Sequence, residues 1–563
     1  MHQPTLVPHS STYFTYQILP FQRPTELDGP GPVHPVTVVG AGPVGLLTAI
    51  FLKQHGVDCV LLTAEAQVSG GSRALAFTRR SMEIFEQAGV AEAILKDALV
   101  WREGRSYFRN REVHHLRIPG TDDDKFAPMT NLPQCMVEEI LIERARTLGV
   151  DLRFQTRLVA MAEDAEGVTL QCDTPQGEYA LRTQWLVAAD GARSPIRKMK
   201  DLRFTGQSFE GRFVIADIQM AIDAAPGRRC YFDPPWLPGE AALMHKAPFD
   251  IWRLDYRVPD DVSDEEAMDR ERIRGQIQAH LDSIGVAGSW VFDWVTLYKP
   301  NALTLESYRH GRVMLVGDAA HLLPVFGVRG LNTGAQDAIN LGWKLAAVVQ
   351  GLAPDSLLDT FSEERVADAR QICVEAARST RMMAPPSRGH AVLRRAVLSL
   401  ALDHAFVRDL LHWRTSHPID YDASLITWHE ADDTGFAGGP GPGAPARNVQ
   451  LESGAFLLDG FAPGFQILLF APSPAAWHDA CQTRAAWQQR GVTVRLWQIG
   501  GPAMAADAEV KLADTDGRVA RAWGVTAADA VVVLRPDQHV GGRVASWRTG
   551  VLNDILARNL GHA

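Results

Sequence analysis

The stretch "VMLVGDAAHLLPVFGVRGLN", residues 313–332, decides the fold of this chain. It begins with a short apolar run, residues 313–316, that is typical of a buried parallel strand. The run ends at Gly317 and Asp318, and a histidine, a proline and two glycines follow before a helical pattern resumes at Gly334. An acid at the end of a buried strand predicts that a polar ligand binds at that edge of the sheet.

Size and composition restrict the classes of protein to which the chain can belong. With 563 residues, 46% hydrophobic and 22% charged, it is long enough for several globular domains. A net charge of -10 disfavours nucleic acid as a partner. The six cysteines have no CxxC spacing, so we expect reduced thiols and no metal site. The proline-rich first 35 residues do not resemble a signal peptide, and no run of 18 apolar residues occurs, so we expect a cytoplasmic protein without a membrane span.

A second motif, "VVGAGPVG" at residues 38–45, follows a β-branched run and precedes a helical pattern. Gly40, Gly42 and Gly45 have the GxGxxG spacing. The first glycine permits a tight turn, the second lets a pyrophosphate approach the backbone, and the third allows close helix–strand packing. In this βαβ context the motif predicts dinucleotide binding.

Polar groups near other strand ends decide between the two common dinucleotides. The strand after the glycine loop ends near Thr63 and Glu65, and Glu65 is our candidate for the ribose, with Thr63 as its rival. Asp190 in "DGARSPIRK" also follows a strand directly, as Asp318 does. An extended FAD needs polar groups at several strand ends, whereas an NAD dehydrogenase needs neither of these two acids. The pattern therefore favours FAD.

Three motifs together resemble the fingerprints of a known family. They are "GAGPVG" at 40–45, "DGARSPIR" at 190–197 and "GDAAHLLPVFGVRGLNTGAQDAINLGWKL" at 317–345. Over about residues 35–385 the chain resembles the class A flavoprotein aromatic hydroxylases, the family of 4-hydroxybenzoate and phenol hydroxylase. It is most similar to the 3-(3-hydroxyphenyl)propionate hydroxylase branch.

The resemblance implies an α/β fold: a Rossmann-like FAD-binding domain with an inserted mixed-sheet substrate domain, as in 4-hydroxybenzoate hydroxylase, and a thioredoxin-like C-terminal domain. The expected segments are an N-terminal arm (1–34), the FAD-binding domain (35–200, with a substrate-domain excursion near 101–130), the substrate domain (201–300), the second part of the FAD-binding domain (301–385), a helical segment with a Gly/Pro linker (386–446), and the C-terminal domain (447–563). Because Cys481 stands alone there, we expect packing or dimerisation rather than redox activity.

The resemblance also implies which residues contact FAD. Asp318 would bind a ribityl hydroxyl, although a role as a helix N-cap is the alternative. Backbone N–H groups at the start of the next helix would face flavin O2, and His321 would be structural. Besides Gly40, Gly42, Gly45, Thr63 and Glu65, the expected FAD contacts are Arg73, Gln134, Asp190, Arg253, Asp318, Pro324, Gly330, Leu331 and Asn332.

The implied reaction is hydroxylation of a phenolic substrate through a flavin C4a-hydroperoxide, with O2 and NADH or NADPH. His245, Tyr231 and Tyr256 are the candidate catalytic residues, and the sequence does not choose among the tyrosines, which include Tyr107. Alternatives are an epoxidase, a Baeyer–Villiger enzyme or a flavoprotein scaffold without turnover. We expect no nucleic acid or membrane partner, and a homodimer is the candidate assembly.

Overall fold

The computed structural model of the chain describes residues 1–4, 6, 10–120, 124–208, 211–324, 326–411, 417–431, 434–502 and 510–562. The strands form several sheets, numbered here in chain order. They are β1 (Val33–Val39), β2 (Cys59–Leu62), β3 (Ala76–Thr78), β4 (Leu99–Trp101), β5 (Glu103–Phe108), β6 (Arg111–Arg117), β7 (Met129–Asn131), β8 (Asp151–Arg153), β9 (Arg157–Glu163), β10 (Val168–Thr174), β11 (Gly177–Ala188), β12 (Thr205–Ser208), β13 (Arg212–Gln219), β14 (Arg228–Phe232), β15 (Ala241–Lys246), β16 (Ile251–Val258), β17 (Val291–Tyr298), β18 (Asn301–Thr304), β19 (Arg309–His310), β20 (Val313–Leu315), β21 (His321–Leu322), β22 (Phe465–Phe470), β23 (Val494–Ile499), β24 (Val510–Leu512), β25 (Ala530–Leu534) and β26 (Val540–Val544).

The α-helices cover the faces of these sheets. They are α1 (Pro43–Gln54), α2 (Arg79–Gln87), α3 (Ala91–Asp97), α4 (Gln134–Thr147), α5 (Pro195–Met199), α6 (Asp264–Ala267), α7 (Arg270–Ser283), α8 (Gly330–Val349), α9 (Leu357–Met383), α10 (Arg388–Asp403), α11 (Pro474–Gln489), α12 (Arg518–Ala522) and α13 (Val551–Asn559). Short 3-10 helices lie at Thr25–Leu27, Gly317–Ala319, Ala405–Leu411 and Leu457–Gly460. Within the described ranges, no helix has both the length and the apolar character that a membrane crossing requires.

The first sheet has the strand order β19-β20-β11-β1-β2-β8, and β10 and β9 extend it beside β11. Strands β20, β11, β1, β2 and β8 run parallel. Residues of β2 and β20 are buried throughout, as expected for strands with helices on both faces. Helices α1 and α8 pack against each other, and Gly334 of α8 permits this because a Cβ there would lie 2.5 Å from Val44.

The second sheet has the order β17-β13-β16-β15-β14-β5-β6, so the segment 103–117 joins strands from 212–298. Its two faces have different environments. One face packs under α7 around Ile273 and Ile277, and the other packs against α9, α10 and the segment before α8. The polar, amphipathic pattern of residues 263–284 predicts one helix, but the structure has two, α6 and α7, because Ser263 and Asp269 each cap a separate helix N-terminus.

The C-terminal sheet has five strands in the order β24-β23-β22-β25-β26. Strands β22, β23 and β24 are parallel, and β25 and β26 are antiparallel to their neighbours. The apolar runs at 465–472, 492–499 and 530–537 predict three of these strands, β22, β23 and β25. The sequence does not predict β24, which has three residues, or β26, which contains Gly541 and Gly542 and so has low strand propensity.

The Gly/Pro-rich segment 435–446 differs from the predicted linker. Phe436 bridges to Val525 and is buried in the C-terminal core, and the Gly443 N–H donates to the Val540 carbonyl at 2.7 Å. The glycines permit this close packing, since a Cβ at Gly439 would lie 2.1 Å from the Trp523 carbonyl oxygen. The segment is therefore packed against the C-terminal sheet.

A buried charge network joins the C-terminal domain to α8 and α9. Glu364 accepts hydrogen bonds from Lys344 at 2.7 Å and from Arg535 at 2.7 and 3.0 Å, and Arg535 also pairs with Asp537. These side chains are at most 2% exposed. Because charges this deeply buried are costly when one partner is lost, the network fixes how the two layers dock.

Candidate functional site

Three glycines after β1 have three different environments. Gly40 has φ 113°, and a Cβ there would lie 2.2 Å from the Ala189 carbonyl oxygen. At Gly45 a Cβ would lie 2.0 Å from the Gly40 carbonyl oxygen. By contrast, a Cβ at Gly42 would meet no protein atom within 4 Å. Gly40 and Gly45 thus serve the turn and the packing, and Gly42 faces open space at the N-terminus of α1, where a pyrophosphate would lie.

Two further glycines face open space beside the same strand ends. A Cβ at Gly191, after β11, or at Gly330, the first residue of α8, would meet no atom within 4 Å. Parallel strands β1, β11 and β20 bring these segments to one edge of the sheet. Together with Gly42 they form a cradle whose backbone is open to a long ligand, as the predicted extended FAD requires.

Two acids from the predicted set face this cradle. Asp190 Oδ2 accepts from the Ile196 N–H at 3.1 Å, while Oδ1 is buried with no hydrogen-bond partner. The Asp318 carboxylate makes no hydrogen bond within the described ranges; it is solvent-accessible, although protein surrounds it. That combination places Asp318 on the wall of an internal cleft. Burial raises the pKa of Asp318, and the positive charges of Arg73 and Arg197 oppose that rise.

The end of β2 supplies the remaining strand-end candidates. Thr63 is buried and its main chain pairs with Arg153 and Thr156 at 3.0 and 2.7 Å. The side chain of Glu65 is exposed, and its main chain holds Gln155 at 3.0 Å. Glu65 is therefore free of the local packing that occupies Thr63.

The loop 69–74 carries Arg73, which is exposed and has φ 29°. Gln134 at the start of α4 holds this loop, because its Oε1 accepts from the Ala74 N–H at 3.1 Å and its Nε2 donates to Glu138 at 2.7 Å. Glu138 in turn accepts from Ser69. Gln134 thus orients the loop that presents Arg73.

Arg253 reaches this loop from the second sheet. Its guanidinium donates to the Arg73 carbonyl at 2.6 Å and to the Ser72 hydroxyl, and its Nε pairs with Asp217 at 2.9 Å. Ser72 also donates to Asp217. Arg253 and Asp217 are buried, and both bind the loop 69–74, so together they fasten the second sheet to that loop. Sequence reasoning did not identify Asp217, although a single acid in the apolar strand "FVIADIQ" is a readable signal.

The residues from Phe326 to Asn332 lead into α8 beside the cradle. Helix α8 begins at Gly330, and the N–H groups of Leu331 and Asn332 have no backbone acceptor in the part of the chain described. The Asn332 side chain accepts from the Thr78 N–H at 2.9 Å and so ties α8 to β3. Val328 has φ 61°, a strained value for a β-branched residue, and its side chain packs beside Trp101.

His321 lies behind this segment and not within it. Its Nε2 contacts Asp337 at 2.8 Å, and both side chains are fully buried. Asp337 also pairs with Arg365 at 2.7 Å and accepts from the Gly317 N–H at 2.9 Å. The histidine therefore helps to hold the turn that carries Asp318, in keeping with a structural role.

The candidate catalytic residues lie on opposite faces of the second sheet. His245 pairs in register with Arg253 and shares its face, which is turned toward the first sheet. Tyr231 and Tyr256 alternate to the other face and pack under α7, where Tyr231 stacks on Tyr107 with ring centroids 5.0 Å apart. The structure does not bring these tyrosines together with His245, because side chains one residue apart in register point to opposite faces.

His245 is partly accessible, and it forms no hydrogen bond within the described ranges. Burial, together with the positive charges of Arg228 and Arg253, lowers its pKa to about 3. The imidazole is therefore neutral near pH 7 and has a lone pair that can accept a hydrogen bond. It lies on the same face as Arg253, which binds the loop 69–74.

Comparisons with known proteins show which family the chain belongs to and which proteins it is similar to. Residues 34–376 match the family described as "FAD binding domain". The chain is 28% identical over 550 residues to the 3-(3-hydroxy-phenyl)propionate/3-hydroxycinnamic acid hydroxylase of Mycolicibacterium smegmatis, covering 94% of each protein. It is similar to the flavin-dependent monooxygenase PieE in complex with FAD and substrate (26% identity, TM-score 0.76, 95% of this chain and 100% of that one). It is also similar to aklavinone-11 hydroxylase with FAD and aklavinone (25% identity, TM-score 0.74, 94% and 100%).

Proposed function

The chain belongs to the FAD-binding domain family, and on that premise we propose that it hydroxylates a phenolic ring held between its two large sheets. The resemblance to flavoprotein aromatic hydroxylases is confirmed, and the protein is a FAD-dependent monooxygenase. Its reaction consumes O2 and NAD(P)H, and its substrate is a small aromatic molecule. The relatives named above include a 3-(3-hydroxy-phenyl)propionate/3-hydroxycinnamic acid hydroxylase and an aklavinone-11 hydroxylase, so the ring system of the substrate is part of the proposal.

The residues of the cradle fit FAD. Gly42 with the N-terminus of α1 would hold the pyrophosphate, and Glu65 would hold the adenosine ribose. Asp318 would accept from a ribityl hydroxyl, and the N–H groups of Leu331 and Asn332 would face flavin O2. The observation that supports this assignment is the set of open or unpartnered groups at one sheet edge: Gly42, Gly191, Gly330, Asp190 and Asp318.

Gln134 and Arg253 act on FAD indirectly in this proposal. Gln134 orients the loop 69–74, and Arg253 anchors the same loop from the second sheet, so together they aim Arg73 at the cofactor. Bound FAD would supply the chemistry, which is hydride acceptance from NAD(P)H and activation of O2. The protein's part is to bind, to orient the ring and to exclude water.

His245 is the residue that we propose meets the phenol. It is neutral and unpartnered, and it faces the first sheet, so its free nitrogen would accept a hydrogen bond from the ring hydroxyl. A hydrogen bond that partly removes the proton of that hydroxyl makes the ring more electron-rich. This favours oxygen transfer to an ortho or para carbon. The single observation that carries this role is the location of His245 on the inner face of the sheet, whereas Tyr231 and Tyr256 are on the outer face.

Three finer features are also proposals. A thioredoxin-like C-terminal domain is supported by the strand order and by α11, which connects parallel β22 and β23. A cytoplasmic location is supported by six free thiols. A homodimer is supported by apolar side chains exposed along 393–410, including Leu393 at 62% and Phe406 at 77%.

The test is substrate-stimulated NAD(P)H oxidation by the purified holoenzyme, with a panel of phenols and mass analysis of products. We expect at least one phenol to accelerate NAD(P)H oxidation and to gain one oxygen atom. His245→Gln should lower kcat/KM by about 10- to 100-fold with FAD content unchanged, as expected for loss of one hydrogen bond to the reacting group. If no phenol gains oxygen, or if His245→Gln is fully active, the proposed function or the role of His245 is wrong.

A further inference from the structure

A second unpartnered polar residue lies on the same inner face as His245. Asp255 in β16 is two residues from Arg253 and therefore shares its face. It is 6% exposed, its Oδ1 is buried without a partner, and within the described ranges neither carboxylate oxygen forms a hydrogen bond or ion pair. Burial raises its pKa to about 7. A buried acid in this condition is unusual, because such groups are normally satisfied by protein partners.

Within the described ranges Asp255 has no hydrogen-bond partner, because the two arginines on its face of β16 bind other groups. Arg257 pairs with Glu240 and Asp260. Arg253 directs its guanidinium to Asp217, to the Ser72 hydroxyl and to the Arg73 carbonyl, all toward the loop 69–74. The register neighbours of Asp255 are Leu243 and Ile215, which offer no hydrogen-bond donor from their side chains. The fold therefore keeps a hydrogen-bond acceptor in an apolar wall and does not satisfy it.

The wall around Asp255 faces the segment that precedes α8. Leu243, which pairs with Asp255, belongs to the apolar cluster that also contains Phe326. Phe326 contacts Phe213 edge to face, with ring centroids 4.8 Å apart. Asp255 thus lies on the face of the sheet that packs against the segment before α8.

The spacing between Asp255 and His245 fits an aromatic ring. His245 is opposite Arg253 in the antiparallel pair, so Asp255 is its diagonal neighbour. Diagonal neighbours in such a pair have Cα atoms roughly 7–8 Å apart. Two acceptors at that spacing, on one face, match a planar molecule that carries a donor on each side.

From this juxtaposition we propose that Asp255 accepts a hydrogen bond from a second hydroxyl group of the substrate, and so selects aromatic rings that carry two hydroxyls. This inference rests on the proposed function, in which His245 receives the first hydroxyl. Asp255 would touch the substrate and determine specificity. The charged and titratable groups beside it on the same face of the sheet are Arg253, Arg257, Asp217, His245 and Cys230.

The test measures a ratio of affinities. Holoenzyme is titrated with matched pairs, phenol against resorcinol and hydroquinone, and naphthol against its dihydroxy analogues, and binding is followed by the change in the flavin absorbance spectrum. We expect the wild type to bind the preferred dihydroxy compound about 3- to 100-fold more tightly than its monohydroxy partner, the range for a hydrogen bond to a neutral or a charged group. Asp255→Ala should abolish that preference and leave the affinity for the monohydroxy compound unchanged.

Asp255→Asn, which keeps the shape and one acceptor but loses the charge, should show an intermediate preference. Glu112→Gln, at an exposed position of the same sheet, is the matched control and should leave the ratio unchanged. Equal affinities within every pair in the wild type, or an unchanged ratio in both Asp255 variants, would overturn the inference. If Asp255→Ala does not retain FAD, the inference is tested by the ratio of affinities in the wild type and in Asp255→Asn. Absence of oxygenated product with every phenol would instead contradict the proposed function, and the binding ratio remains measurable in that case.

Discussion

Alanine at Gly42 and alanine at Gly45 should affect different properties of the protein, although the two glycines are only three residues apart. The first should weaken FAD binding, and the second should destabilise the fold. At Gly42, φ −73° and ψ 173° are allowed for any residue, and a Cβ would contact nothing within 4 Å. The cost to the apoprotein is therefore within about 1 kcal/mol, the usual cost of alanine at a helix N-cap. At Gly45 a Cβ would lie 2.0 Å from a carbonyl oxygen, so we expect about 1–3 kcal/mol of destabilisation from overpacking.

Alanine at Gly42 should weaken the binding of FAD, although it hardly changes the stability of the apoprotein. The open space beside Gly42 is where the pyrophosphate approaches the backbone, so a methyl group there meets the ligand. A steric penalty of about 1–3 kcal/mol corresponds to roughly 5- to 150-fold weaker binding. The assay is titration of deflavinated protein with FAD, followed by flavin fluorescence, together with thermal unfolding of the apoprotein.

Gly275→Ala is the matched control, since it lies in α7 away from the cradle and its Cβ also meets open space. It should leave FAD affinity unchanged and raise stability by up to about 1 kcal/mol through helix propensity. The reasoning is refuted if Gly42→Ala binds FAD as tightly as the wild type. It is also refuted if Gly42→Ala destabilises the apoprotein as much as Gly45→Ala does.

Three other substitutions test separate parts of the site. Asp318→Ala should weaken FAD retention by about 10-fold or more without unfolding the apoprotein, because its carboxylate has no protein partner to lose; normal flavin content would count against it. Asp217→Asn should lower the unfolding free energy by about 3–5 kcal/mol, since it leaves the Arg253 charge buried, and denaturant unfolding measures this. Glu364→Gln should destabilise the protein by a similar amount, because the charges of Lys344 and Arg535 would remain buried without their partner. Calorimetry measures this, and a separate unfolding transition of the C-terminal domain would indicate that this domain undocks first.

The sequence predicts the parts of the site that depend on local pattern. Glycine spacing after β1 and single acids after β11 and β20 are features of contiguous residues, and parallel strands bring their carboxyl ends to one edge. The family resemblance adds the assignment to FAD. The environments of Gly40, Gly42 and Gly45 follow the roles that the spacing predicts, since each role depends on a few neighbouring backbone atoms.

The sequence alone does not show which strands pair, or which face of the sheet a given side chain occupies. Tyr231 and Tyr256 are as plausible as His245 when only residue type is considered, and their position on the outer face depends on strand pairing. The segment 435–446 has the composition of a linker, but composition does not reveal that its backbone meets the edge of β26. In both cases the deciding contacts join residues far apart in the chain.

The buried pair of Arg253 and Asp217 explains how a site built from two sheets remains aligned. The glycines and acids of the cradle lie in loops and helix ends that adjoin the first sheet, whereas His245 and Asp255 lie in strands of the second. A ring bound between them is correctly placed only if the two sheets keep a fixed separation. The guanidinium of Arg253 bridges them directly, because it binds Asp217 on its own sheet and the Arg73 carbonyl on the loop of the other. The residue that docks the sheets therefore also positions Arg73, so a substitution that loosens the docking must disturb the substrate space and the FAD cradle together.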